Sequence, residues 1–304
     1  VTVDADLDMS AYAWVPIGMK GSVNKTFNGT FDGNGHVIEG IACSYLGETA
    51  TGTGAVMGMF GQVDGATIHD VFVKGEILSV MDASASQTFY LGGIASQGKA
   101  TIYNCTADAT MTSVNTATTM GGIIGSLSSG GTIHSSAAMP VMTGYTMGGL
   151  AGTNAGSIYN SFANPKFTYS SAANAWFVGG LAAENSGTVE NCYVRFSRPS
   201  SFGNAAKFGQ LTGSNTGSVA VCYNPTNYAS GIGSALTYSG SVTSTAYGDV
   251  VAPYLYNHGN DNLVGTTGQT LCKKLNDWVN ARTGYATWKR TTAGGYSATA
   301  GNIN

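Results

Sequence analysis

Charge is scarce in this sequence. Asp, Glu, Lys and Arg make up only 10% of its 304 residues, against about 25% in ordinary globular domains, so the surface must be built from Ser, Thr, Asn and Gly. The 13 basic and 16 acidic side chains form no run of either sign, which leaves no electrostatic footprint for nucleic acid. From 109 to 183 there is no acidic residue at all. Proline occurs 6 times, too few for a Pro-rich linker or a collagen. No apolar stretch approaches the ~18 residues of a membrane-crossing helix. The opening Val1-Thr-Val-Asp-Ala-Asp6 lacks the basic and apolar pattern of a signal peptide. The cysteines (43, 105, 192, 222 and 272) are odd in number and include no CxxC, so neither a zinc site nor a complete disulfide framework is expected.

Glycine, in contrast, fills 44 positions, and hydrophobic residues reach 43%. The glycines recur in pairs between apolar residues. The pattern begins at Met57-Gly-Met-Phe60 and returns as Leu91-Gly-Gly-Ile94, Met120-Gly-Gly-Ile123, Met147-Gly-Gly-Leu150, Val178-Gly-Gly-Leu181 and Phe208-Gly-Gln-Leu211. First glycines at 58, 92, 121, 148, 179 and 209 give spacings of 34, 29, 27, 31 and 30, a solenoid period. A second motif follows in near-fixed register: Thr67-Ile-His-Asp-Val71, Thr101-Ile-Tyr-Asn-Cys105, Thr132-Ile-His-Ser-Ser136, Ser157-Ile-Tyr-Asn-Ser161, Thr188-Val-Glu-Asn-Cys192 and Ser218-Val-Ala-Val-Cys222.

Strands this short cannot bury themselves alone. Coiling the chain so that each unit stacks on the last pairs equivalent strands about 4.8 Å apart and encloses one core. The sequence therefore predicts an all-β fold, a parallel, right-handed β-helix solenoid with a short C-terminal helical cap. It reads as one domain over 1–304, with N-terminal rungs over 1–54, repeats over 55–225, and a degraded rung and cap over 226–304. The interior ladder expected is Ile68, Ile102, Ile133, Ile158, Val189 and Val219, with Val71, Cys105, Ser136, Ser161, Cys192 and Cys222 after a bend at Asp70, Asn104, Ser135, Asn160 and Asn191. The cysteines are expected to be reduced and buried, as small hydrophobes, because stacked strands rarely offer disulfide geometry to a pair such as Cys192 and Cys222.

Toward the ends, Asp32-Gly-Asn-Gly35 superficially resembles a calcium loop, but His36 and Val37 stand where an EF-hand needs a ligand and glycine, so a tight turn is expected. Gly240–Tyr247 reads as a last degraded rung. Residues 270–281 (TLCKKLNDWVNA), with Leu271, Leu275, Trp278 and Val279 on one face, predict a helix. With the Trp288 segment it would cap the solenoid.

The units, such as Val178-Gly-Gly-Leu-Ala-Ala-Glu-Asn-Ser-Gly-Thr-Val-Glu-Asn-Cys192, resemble the GLUG-motif repeat of bacterial surface proteins. Trp14-Val-Pro-Ile-Gly18, the run from Phe27 to Ile38, and the Leu275-to-Val279 segment look like the flanks of such proteins in Bacteroides-type gut bacteria. The resemblance implies a secreted or cell-surface protein, anchored to the outer membrane through a segment absent from this chain, and an adhesin role. It brings no catalytic motif.

Nor do the residues offer one. The rungs of 109–183, without an acidic residue, offer no glycosidase carboxylate pair or metal cluster, and no Ser-His-acid grouping or phosphate loop is recognisable. The densest polar group, Glu184, Glu190, Arg195 and Arg198, could make a lyase-like arrangement, with surface ion pairing the plainer reading. His69 and His134 hold equivalent positions with Tyr103 between them, about 10 Å apart and poorly placed to share a metal. No cofactor, metal or catalytic residue is expected. Binding remains. His69, Tyr103, His134 and Tyr159 should project outward, and Phe162, Tyr193 and Tyr223, like Phe72, lie one residue beyond the post-bend interior position. Such a column could stack on host or microbial glycan or meet a surface protein, though cross-rung pairs that only stabilise the sheet are the plainer reading. The expectation is a non-catalytic, adhesin-like module. The alternatives are a polysaccharide lyase or glycoside hydrolase, and a purely structural stalk.

Overall fold

In the computed structural model the described residues are 1–18, 26–45, 56–79, 88–169, 177–195, 207–222, 263–264, 269–290 and 296–299. Three parallel sheets of 11, 9 and 6 strands run the length of the coil. The six-stranded sheet carries the first glycines of the pairs, in strands such as Phe89–Gly92, Thr118–Gly121 and Thr146–Gly148. The eleven-stranded sheet carries the second motif, in strands such as Thr132–His134 and Ser157–Tyr159. The nine-stranded sheet follows the bend, as in Thr106–Ser113.

The glycine pair does two separate jobs. A Cβ on the first glycine would meet a carbonyl of its own rung: 1.8 Å from Ala151 O at Gly148 and 1.9 Å from Ala182 O at Gly179. A Cβ on the second would meet the following rung, 2.1 Å from Gly149 O at Gly122 and 1.9 Å from Gly180 O at Gly149. Gln210 can replace that second glycine because it occupies the last of the stacked rungs among the described residues.

The interior ladder forms as expected. Ile68, Ile102, Ile133, Ile158, Val189 and Val219 are in register on adjacent strands, and Phe31 extends it one rung toward the start. All are buried. The bend that follows is left-handed backbone at every rung: Asp70, Asn104, Ser135, Asn160, Asn191 and Val221 have φ between 47° and 54°. Asn and Asp tolerate that conformation best among residues with a side chain, which accounts for their recurrence. The bend also explains the Cys/Ser alternation, and revises the reading of the cysteines as plain hydrophobes. Cys105, Ser136, Ser161, Cys192 and Cys222 each donate back to the carbonyl two residues earlier, at 3.2, 2.9, 2.7, 3.3 and 3.2 Å. Only Val71, at the first of these positions, has no donor to offer. Cys43, Cys105, Cys192 and Cys222 are free thiols, and burial pushes Cys105 up to about 12.

Two columns of side-chain amides knit the rungs together. At the bend, Asn191 donates to Asn160 (2.8 Å), Asn160 to Ser135 (3.3 Å) and Asn104 to Asp70 (3.1 Å). The second column was not anticipated: Asn154 donates to Asn185 (2.7 Å) and Asn185 to Asn215 (2.6 Å), all three buried. The second column also ties in backbone at the turn, where Asn154 Nδ2 donates to Thr188 O at 3.2 Å and Asn154 Oδ1 accepts from Gly156 N at 3.1 Å. The turn after Asp32 is tight, as expected, with Asn34 and Gly35 at φ 51° and 78° and His36 N donating to Gly33 O at 2.8 Å.

The helix forms as Leu271–Asn280 and is named α1. Leu275, Trp278 and Val279 face inward with Trp288, and all four are buried. The Gly240–Tyr247 rung lies outside the described residues.

Candidate functional site

The sheet register places the outward positions of the second motif in one file: Asp32, His69, Tyr103, His134, Tyr159, Glu190 and Ala220. The cap divides this file. Tyr159 packs against Trp278 (6.2 Å) and Tyr285 (6.1 Å), which themselves meet at 4.8 Å. Phe162 stacks on Tyr193 at 5.4 Å, and both pack against the cluster of Leu275, Trp278, Val279 and Trp288. Tyr193 is only 1% exposed. The expectation that Tyr159, Phe162 and Tyr193 face a ligand is therefore corrected: they face the chain's own C-terminal segment. An amphipathic helix and a half-apolar aromatic column each need a partner, and each supplies the other's. Tyr223 lies outside the described residues.

Polar contacts fix the docking. Trp288 Nε1 donates to Asn160 Oδ1 at 2.6 Å, Asn160 Nδ2 to Ala286 O at 2.7 Å, and Asn191 Nδ2 to Leu275 O at 3.2 Å. Glu190 accepts from Trp278 Nε1 and from Arg282 Nη2, the latter at 3.2 Å. Glu190 is thus committed to the cap. Glu184 lies on the preceding strand of the same sheet, Arg195 lies beyond the bend, and Arg198 is outside the described residues.

What stays open is the N-terminal half of the file. His69 stacks on Tyr103 (4.8 Å, 5°), and Tyr103 stacks on His134 (5.1 Å, 2°). Rings so nearly parallel show their faces to one another and only their edges to solvent, so stacking of a sugar on a ring face, one expectation from the sequence, is not available within the stack. The edges offer N–H, O–H and lone pairs instead. Burial, reinforced by Asp70 and Asp32, holds the Tyr103 hydroxyl above the usual tyrosine range, hence protonated.

Asp32, His69 and Asp70 meet at the open end of the stack. His69 Nδ1 lies 2.7 Å from Asp70 Oδ2 and 3.6 Å from Asp32 Oδ1. The register sets Asp32 directly beside His69, and the left-handed bend turns Asp70 back toward it. The sequence marks His69 as an outward-facing candidate, but reads Asp32 only as part of a tight turn and Asp70 only as a bend residue. Asp32 sits in a rung without a Gly-Gly pair, where the period gives no alignment. The available signal was Asp70, the one acid among bend residues that are otherwise Asn, Ser or Val.

Burial lowers His134 below the ordinary histidine range, where Tyr285 meets it edge-on at 5.4 Å. Below about pH 6.5 the unfolded chain takes up a proton that the folded chain refuses, so stability falls as pH drops through 6.5 and levels off below the folded value. Thermal melts between pH 7.5 and 5 should show that fall, and His134→Tyr should flatten it.

No protein-family model matches the chain, and no curated protein does. A solved structure does. The crystal structure of a "putative immunoglobulin A1 protease" from Bacteroides ovatus aligns over 98% of this chain and 84% of that one, with a TM-score of 0.58 at 17% identity. The likeness establishes the shared fold, and its source agrees with the Bacteroides-type context of the repeat. It also corrects the expectation that this chain is not an enzyme. That expectation rested on a β-helix without a recognisable catalytic motif, and the same architecture occurs in a protein bearing a protease name, so fold and missing motif give no ground for excluding catalysis.

Proposed function

We propose that the chain is a surface-displayed β-helix of the GLUG-repeat kind that binds glycan, in the manner of an adhesin, along the edge of the His69–Tyr103–His134 stack. The observation that carries this reading is the concentration of hydrogen-bonding groups there: ring edges bordered by Asp32, Asp70 and Asn104, on a chain with little charge elsewhere. Carboxylate, amide and imidazole groups suit a polyhydroxylated ligand better than an apolar one. On a glycan and mucin array, Tyr103→Ala and His134→Ala should each weaken binding about tenfold, the effect of losing roughly 1.4 kcal/mol. An array on which the wild-type chain binds nothing would sink the reading.

A second reading is polypeptide hydrolysis. The name of the Bacteroides ovatus neighbour favours it, together with the 2.7 Å approach of His69 Nδ1 to Asp70, which orients an imidazole as a carboxylate does in general-base pairs. Incubation with immunoglobulin A1 should then yield fragments, lost in His69→Tyr.

A further inference from the structure

We propose that Asp32, His69 and Asp70 form a binding site for a single divalent transition-metal cation of the zinc class. The inference is independent of the glycan reading and needs no glycan for its test. The three side chains each offer one donor atom, and these atoms lie within 4.8 Å of one another. The separations from His69 Nδ1, 2.7 Å to Asp70 and 3.6 Å to Asp32, bracket the roughly 3.4 Å between neighbouring ligands of a tetrahedral ion with bonds near 2.1 Å. Small rotations of the half-exposed carboxylates would close the set.

The donors are also prepared. The imidazole is held by its stack on Tyr103 with Nδ1 turned to both carboxylates. Asp32 Oδ1 accepts from Asn34 N at 2.8 Å, and Asp70 Oδ1 accepts from Asn104 Nδ2 at 3.1 Å. Such outer contacts fix the orientation of metal-binding carboxylates. Among the described residues neither aspartate has a Lys or Arg within ion-pair distance, so two negative charges meet one imidazole. One nitrogen with two oxygens selects a borderline cation over Ca2+ or Mg2+, which favour oxygen alone. Three protein ligands leave a position for water, the arrangement of an open site.

The chain supplies its own replacements, because neighbouring rungs carry Tyr where His69 stands (Tyr103, Tyr159) and Asn where Asp70 stands (Asn104, Asn160, Asn191). His69→Tyr and Asp70→Asn therefore preserve the ladder while removing a ligand, which unchanged circular dichroism and melting in chelator would verify. The whole chain, stripped with chelator, should be titrated with Zn2+ against a chromophoric chelator, and with Co2+ while its visible absorption is followed. One equivalent should bind, at least tenfold more weakly in both variants, with His36→Asn, at the separate His36–Asp6 pair, as an unaffected control. Absence of stoichiometric Zn2+ binding, or wild-type affinity in either variant, would overturn the proposal. Failure on the glycan array would leave it standing.

Discussion

Gly149→Ala should destabilise the coil by about 3 kcal/mol or more, as overpacking against backbone that cannot yield. The added methyl would lie 1.9 Å from Gly180 O, 3.0 Å from Gly180 C and 2.8 Å from Ala163 Cβ, so it can be accommodated only by moving one rung away from the next. That motion strains Gly149 N to Gly179 O (3.1 Å) and Leu150 N to Leu181 O (2.8 Å). The gain of about 0.4–1 kcal/mol from a stiffer unfolded chain is too small to offset it. Gln210 provides the internal control. It holds the same repeat position in the last described rung and already carries a side chain, so Gln210→Ala should shift the urea midpoint little. Equal midpoints for Gly149→Ala and wild type would show that the rungs can separate freely.

Trp288→Ala should cost the cap about 3–5 kcal/mol, the usual penalty for truncating a buried Trp. Trp288 is 2% exposed. Beyond its packing, it donates to Asn160 Oδ1, and Asn276 brackets its backbone, accepting from Trp288 N at 2.7 Å and donating to Trp288 O at 2.9 Å. The loss should be local. Amides of 271–290 should exchange much faster, while those of the strands through Ile102 and Ile133 keep their protection, because a solenoid distributes its stability rung by rung. A uniform loss of protection over the whole chain would instead make the cap part of one cooperative unit.

The coil itself was legible because its two motifs keep one register. Once Ile68, Ile102, Ile133, Ile158, Val189 and Val219 are aligned, every other position in the unit inherits a side, and even the left-handed bend residues follow. What the period cannot show is which outward file the cap covers: to a repeat, Tyr159 and Tyr103 are the same position. Their difference arises from α1, more than 100 residues further on, and the intervening 223–262 hold only the degraded motif at Gly240–Tyr247, which gives no register to extend. The Asn154–Asn185–Asn215 column escaped because it spans only three rungs, with Leu127 and Gly98 at the earlier positions. Cys and Ser can stand in for one another because each donates to the equivalent carbonyl of its own rung, a contact that the repeat pattern does not spell out.

The two amide columns point in opposite directions. Asn154 and Asn185 donate toward the C-terminal end of the coil, whereas Asn191, Asn160 and Asn104 donate toward its N-terminal end. In an α-helix aligned peptide dipoles add, leaving partial charges at both ends. Where both columns are present, from Asn154 to Asn191, the side-chain dipoles of one corner offset those of the other, so this stretch builds up little field along the axis from this source. Where the bend column does terminate, at the end toward which its amide hydrogens point, the chain places the carboxylate of Asp70.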